Sequence, residues 1–259
     1  MSNHSEHLEV EFLGTGTSTG VPQIKCTCPV CRSADPRDTR LRTSAIVRYR
    51  QQSILIDCGP DFRTQILRAS NDHLDGLLLT HIHYDHVGGL DDLRAYCNHQ
   101  DFPIYARQDV IDDLRMRLPY CFAEHPYPGV PLLHITPVRE GQTFFLHGIP
   151  IEALPVRHYK LNILGYRIGP LAYITDANGL DAAVIDRLHG TPLLIINALR
   201  HEPHLSHFSL SETLQVIDHI QPRQAYLIHM SHGIGFHAET QAALPHNVHL
   251  AHDGMVINY

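Results

Sequence analysis

At 259 residues, with 43% hydrophobic residues, the chain is long enough for one sizeable α/β domain with a buried core. A formal net charge of −7 argues against tracking a long phosphate backbone, although a local basic pocket for a small anion stays open. No early apolar stretch resembles a leader and no apolar run reaches bilayer length, so a soluble, cytoplasmic protein is expected, with a homodimer left open.

Met1 to His7 is polar and reads as a disordered tail, so the expected domain runs from 8 to 259. A strand over 8–13 leads into Gly14-Thr15-Gly16-Thr17-Ser18-Thr19-Gly20. No Gly-Lys-Ser/Thr follows, which disfavours a nucleotide P-loop and favours a tight turn beside a metal site. Cys26, Cys28 and Cys31 are crowded together, whereas Cys58, Cys97 and Cys121 stand singly. The first set reads as metal ligands in a loop over about 20–42, the second as small core residues.

Strands are expected over 44–49 and 53–57, the second ending in Asp57, then a helix over 61–69 and a strand over 74–80. That strand delivers His81-Ile82-His83-Tyr84-Asp85-His86, four residues of ligand type in six positions. Imidazole nitrogens and carboxylate oxygens at this density suit a pair of zinc, manganese or iron ions. A histidine-rich turn is the plain alternative in a chain with 22 His, but it has no reason to show the ordered spacing H-x-H-x-D-H. A helix over 89–96, a strand over 103–106 and a helix over 109–117 come next. The segment 118–131 is rich in Pro and aromatics and reads either as a loop over the active site or as a packed connector.

Further strands are expected over 142–146, 149–156, 164–168, 171–175, 193–198, 225–229, 248–251 and 255–258, with helices over 180–188 and 209–220. Three more donors follow strands: His158, Asp176 and His229. A donor at a strand end is rigidly placed, as metal binding requires. Short strands interspersed with helices predict two sheets covered by helices.

This ordered set resembles the metallo-β-lactamase superfamily over nearly the whole chain. The resemblance implies an α/β fold of the αββα four-layer sandwich type. It implies that His81, His83 and His158 hold one divalent ion, that Asp85, His86 and His229 hold the other, and that Asp176 bridges them, with Mn2+, Zn2+ or Fe as the metals. Asp57 would support the ligands without coordinating. The Cys26/Cys28/Cys31 set, with His232 three residues beyond His229, resembles the structural zinc knob of the phosphoribosyl 1,2-cyclic phosphate phosphodiesterase branch. A closed Cys3His tetrahedron is the usual form of such a site. In the phosphodiesterases of this superfamily a histidine placed like His207 serves as general acid or phosphate contact. His204 is a weaker candidate, and Lys160 and Arg200 read as surface charge near the ligands.

The activity implied is hydrolysis of small, cyclic phosphodiesters by a metal-bridging hydroxide. His207 would protonate the leaving oxygen, and Asp85 would both bind metal and orient the attacking water. The competing readings are a ribonuclease Z-like nuclease, a thioester or lactone hydrolase of the glyoxalase II type, and a non-catalytic metal-binding protein. Extended nucleic acid and membranes are not expected partners.

Overall fold

The computed structural model describes residues 7–97, 102–125 and 127–259. His7 apart, the polar segment expected to be a disordered tail lies outside them, as does Pro126 of the aromatic segment. Among the described residues the strands form two seven-stranded sheets.

The first sheet contains β1 (Leu8–Gly14), β2 (Ser44–Tyr49), β3 (Gln52–Ile56), β4 (Gly76–Leu78), β5 (Ile104–Ala106) and β6 (Ile135–Pro137), with β14 (Val256–Asn258) on the outer edge of β1. The second runs β7 (Thr143–Leu146), β8 (Ile149–His158), β9 (Leu161–Ile168), β10 (Leu171–Tyr173), β11 (Leu193–Asn197), β12 (Gln224–Ile228) and β13 (Val248–Leu250).

Alternation along the strands decides the layers. In β1 and β3 the side chains of Leu8, Val10, Phe12, Ile54 and Ile56 face Ile151, Leu164, Tyr166, Tyr173 and Ile195 of the second sheet, forming one central core. The opposite face of the first sheet, with Ile46, Leu55 and Leu77, is covered by the helices α1 (Phe62–Ile66), α2 (Tyr84–Val87), α3 (Arg94–Cys97) and α4 (Gln108–Arg117). Leu154, Leu194, Ile196 and Leu227, on the outer face of the second sheet, pack under α5 (Ala182–Leu188) and α6 (Leu210–Ile220). The result is an αββα sandwich.

Several bounds differ from the sequence reading, each for a local reason. β8 continues through His158, because its pairing with β9 extends to His158 opposite Leu161. The helix expected over 89–96 is a 3-10 turn, Leu90–Leu93, followed by the single turn of α3. The Ile135–Pro137 strand escapes notice because it is short and carries a proline, which only a sheet edge tolerates. The helix α7 (His237–Ala243) has no apolar stripe to announce it. By contrast α6 starts where expected, since Ser209 and Glu212 form a reciprocal capping box.

Strands β3 to β6 run parallel, as do β10 to β13. Their C-terminal loops therefore emerge along one edge, where a site can be assembled from both sheets. The glycine-rich loop after β1 joins the sheets there: Thr17 N–H donates to Met230 O and Met230 N–H to Thr15 O, both at 3.0 Å. Buried Arg40 braces this junction by donating to Thr15 Oγ1 at 2.7 Å and Ala251 O at 2.8 Å.

Candidate metal centre

Asp57, Asp176 and His229 follow β3, β10 and β12, and all three have left-handed backbones, with φ of +59°, +57° and +55°. Non-glycine residues seldom adopt this conformation, and it gathers where a side chain must be aimed. It turns each donor out of its strand direction toward the sandwich edge. Gly59 is needed for a different reason: a Cβ there would collide with the Asp85 carbonyl, so glycine lets the ligand loop lie against the end of β3.

The first nitrogen set is His81, His83 and His158. His83 Nδ1 lies 3.1 Å from His81 Nε2 and 3.3 Å from His158 Nε2. Hydrogen bonding fixes the rings of the latter two. His158 Nδ1–H donates to the Ser206 carbonyl at 2.8 Å, which leaves Nε2 as a bare lone pair. Thr80 Oγ1 donates to Asp57 Oδ2 at 2.8 Å, so it accepts from His81 Nδ1–H at 2.9 Å and again leaves Nε2 bare. With His83 Nδ1 also unprotonated, three lone pairs this close would repel unless a cation sat among them. Nitrogens on a tetrahedral zinc would stand roughly 3.4 Å apart. Burial holds all three imidazoles below their ordinary range, favouring the neutral, ligating form.

The second set is Asp85, His86, Asp176 and His229, all buried. His86 Nδ1–H donates to Asp57 Oδ2 at 2.7 Å. Its Nε2 makes no hydrogen bond, yet lies 3.1 Å from Asp85 Oδ2 and 3.2 Å from Asp176 Oδ2. A buried nitrogen between two carboxylates calls for positive charge. Burial opposes a proton there, but the carboxylates of Asp176, Asp85 and Asp57 overcome it and raise His86 well above its usual range. A metal ion meets the same demand, so these residues fit one. Asp176 touches both sets: Oδ1 is 3.9 Å from His81 Nε2 and 3.0 Å from His229 Nε2. Despite burial, His229 and His86 hold its carboxyl well below the usual carboxylate range.

Asp57 stands one step behind. It accepts from the Thr80 N–H at 2.8 Å, from Thr80 Oγ1 and from His86, and it touches no other candidate ligand. Burial pushes its carboxyl up despite those bonds. Asp57 thus reaches the donor sets only through Thr80 and His86.

His207 reaches the same point. Its Nε2 is 3.1 Å from Asp176 Oδ1, and its ring stacks on His229 with centroids 4.9 Å apart. Of the two weaker basic candidates, Arg200 donates to the carbonyls of Glu202 and Pro203 in its own loop, and the Lys160 amine lies over the Tyr159 ring. Neither is brought to the donors. One contact escaped the sequence reading: Arg117, at the end of α4, donates to the Ile82 carbonyl inside the ligand loop. In the stretch that follows, Cys121 is buried and Tyr120 Oη donates to Asp91 Oδ1 at 3.0 Å.

Cys26, Cys28, Cys31 and His232 form a separate cluster. The three sulfurs lie 3.2, 3.4 and 3.4 Å from His232 Nδ1. The sulfur-to-nitrogen edge of a tetrahedral zinc site is roughly 3.5 Å. Cys28 is pulled down to about 6, first by the Cys31 N–H, whereas burial pushes Cys31 up to about 11. A soft, closed donor set of this kind suits zinc.

Comparison with known proteins agrees with this fold. Residues 52–230 match the family model described as the beta-lactamase superfamily domain. The chain is 46% identical over 246 residues to an octanoyltransferase of Porphyromonas gingivalis, covering 94% of this chain and 50% of that protein. It is 31% identical over 170 residues to ribonuclease Z of Rippkaea orientalis, covering 62% and 47%. The chain thus spans half or less of the length of these curated relatives. A crystal structure of a diphosphatase from the PhnP family superposes with a TM-score of 0.90 at 35% identity, covering 98% of this chain and 97% of that one. With its layers and its match over 52–230, the chain belongs to the beta-lactamase superfamily. Within it, the near-complete overlap at 35% identity places the chain in the PhnP family.

Proposed function

We propose that the chain is a two-metal phosphodiesterase acting on small phosphodiesters, with strained cyclic diesters foremost. The observation that carries this reading is the placement of His207 Nε2 against Asp176 Oδ1, beside both donor sets. His81, His83 and His158 would hold one ion, Asp85, His86 and His229 the other, and Asp176 both. Bound there, two divalent ions supply Lewis acidity and a water activated near neutral pH. The chain's own contribution is orientation and proton supply. Ser206 O, Thr80 and Asp57 hold the candidate ligand rings, and Asp85 Oδ2, 3.1 Å from His86 Nε2 and 3.5 Å from His229 Nε2, would bind metal and orient the attacking water. His207 donates a proton from Nε2 to the departing oxygen. The PhnP-family diphosphatase supports a diphosphate as a related substrate, since it too presents phosphorus with two substituents.

The octanoyltransferase relative is twice the length of this match. Covalent acyl transfer needs an accessible nucleophile. Cys58, Cys97 and Cys121 are buried, and burial pushes their thiols up, while the other three cysteines form the sulfur cluster. Among the described residues, then, no exposed thiol outside that cluster is offered for such a step.

A substrate panel on protein of measured metal content tests the proposal. Cyclic and aryl diesters should turn over far faster than monoesters, thioesters, lactones or RNA. Efficient thioester or lactone turnover with inert diesters would transfer the assignment to the glyoxalase II type. His207→Ala should cost about 10²–10⁴-fold in turnover when an alkoxide leaves. With p-nitrophenolate, which departs unprotonated, the loss should shrink markedly. An equal loss on both substrates would make His207 a phosphate-binding residue instead.

A further inference from the structure

The left-handed backbone of Asp176 interrupts the second sheet where the two donor sets meet. β10 and β11 pair in parallel from Leu171 opposite Leu193 to Tyr173 opposite Ile195, and one further bond, from Ile174 N–H to Ile195 O at 2.8 Å, closes the ladder. At Asp176 φ is +57°, outside the range of an extended strand. Ala177 lies beyond the ladder and is fully buried, so its peptide groups need other partners.

Asn197 supplies them. It ends β11 after the apolar run Leu193-Leu194-Ile195-Ile196 and is itself fully buried. Ala177 N–H donates to Asn197 Oδ1 at 2.7 Å, and Asn197 Nδ2 donates back to Ala177 O at 3.0 Å. The partners settle the amide's orientation, because a peptide N–H can only donate and a carbonyl can only accept. One side-chain amide thus imitates the missing strand residue. Leucine offers neither bond, and an aspartate carboxylate offers no donor. The Ala177 carbonyl also accepts from Phe208 N–H at 2.7 Å, and Phe208 O accepts from Leu199 N–H at 3.0 Å. On its other side Asn197 pairs in register with Ile228, the residue before His229. Asp176, His207 and His229 each stand one residue from a member of this network.

Resting on the two-metal reading above, we propose that Asn197 is a positioning residue. By pairing both ways with Ala177 it holds the turn that aims the Asp176 carboxylate at both donor sets, and through the Ala177 carbonyl it anchors the backbone beside His207. Thr175 Oγ1 also donates to Asp176 Oδ2, at 2.6 Å. That bond comes from the preceding residue and moves with the turn, so it cannot fix the turn itself.

The test compares Asn197→Leu, which keeps the shape of the side chain, Asn197→Ala, which does not, and Thr213→Val as a control. Thr213 Oγ1 donates to Asn197 O at 2.7 Å, so the control removes a buried bond from the same residue without touching Ala177. Zinc affinity of the nitrogen–oxygen sites is read by chelator competition on protein that retains the knob zinc. It should fall about 10–100-fold in both Asn197 variants and hold in Thr213→Val. At saturating zinc, kcat on a cyclic diester should fall in the same variants with KM little changed. Amide ¹H–¹⁵N signals of Asp176, Ala177 and Phe208, recorded before zinc is added, should shift in the Asn197 variants and stay in place in the control. Should Asn197→Leu fail to fold, Asn197→Ala carries the measurements. Where the wild type binds zinc at these sites, unchanged affinity in the Asn197 variants, or Thr213→Val as impaired as they are, would overturn the proposal. A wild type that takes up no zinc beyond the knob ion, with the amide shifts confined to the Asn197 variants, would refute the two-metal reading and leave the positioning intact. The same uptake with no such shifts would refute both.

Discussion

Asp176→Ala protein is expected to fold and to keep the sulfur-bound zinc while losing both nitrogen–oxygen metals. The carboxylate lies within reach of both donor sets, and its removal leaves His86 Nε2 and His229 Nε2 facing one carboxylate fewer. Metal affinity should fall by more than about 100-fold, because loss of a mere supporting partner already costs about 10–100-fold. Diester turnover should drop by more than about 10³-fold, beyond the loss of a single transition-state donor. Elemental analysis alongside a diester assay measures both. Retention of both metals with unchanged turnover would show that Asp176 is not shared.

Cys28→Ser should act on stability instead. The sulfur cluster joins the loop after β1 to His232, only three residues past His229, so its ion would tie the N-terminal loop to the wall of the candidate centre. Structural zinc contributes directly to folding. We expect one equivalent of zinc to be lost and the melting temperature to fall by on the order of 10 °C. The nitrogen–oxygen metals should remain in the surviving protein. An unchanged melting curve with unchanged zinc would reduce the three cysteines to ordinary thiols.

Much of the candidate site was legible because its candidate donors are marked by type and position. The run His81–His86 carries its spacing in the sequence, and His158, Asp176 and His229 each follow an apolar strand. Less visible were features that depend on distant segments. Nothing in Thr80 or Ser206 marks them as the groups that select imidazole tautomers, because each becomes significant only when another loop arrives. The left-handed backbones of Asp57, Asp176 and His229 are equally silent, since none is a glycine. Arg117 was hidden for the same reason: its target is the Ile82 carbonyl, a group every residue possesses. In the fold, strong periodicity located β1, β8 and α6. Weak patterns lost α7 and the proline-bearing edge strand β6.

The most direct measurement of the central claim is a metal titration of chelator-treated protein that retains only the knob zinc, with bis(p-nitrophenyl) phosphate turnover recorded at each added equivalent. Full turnover should appear as the second added equivalent binds, because the proposed chemistry uses both donor sets joined by Asp176. Full turnover before any metal is added, or no turnover of this diester with both equivalents bound, would contradict the account.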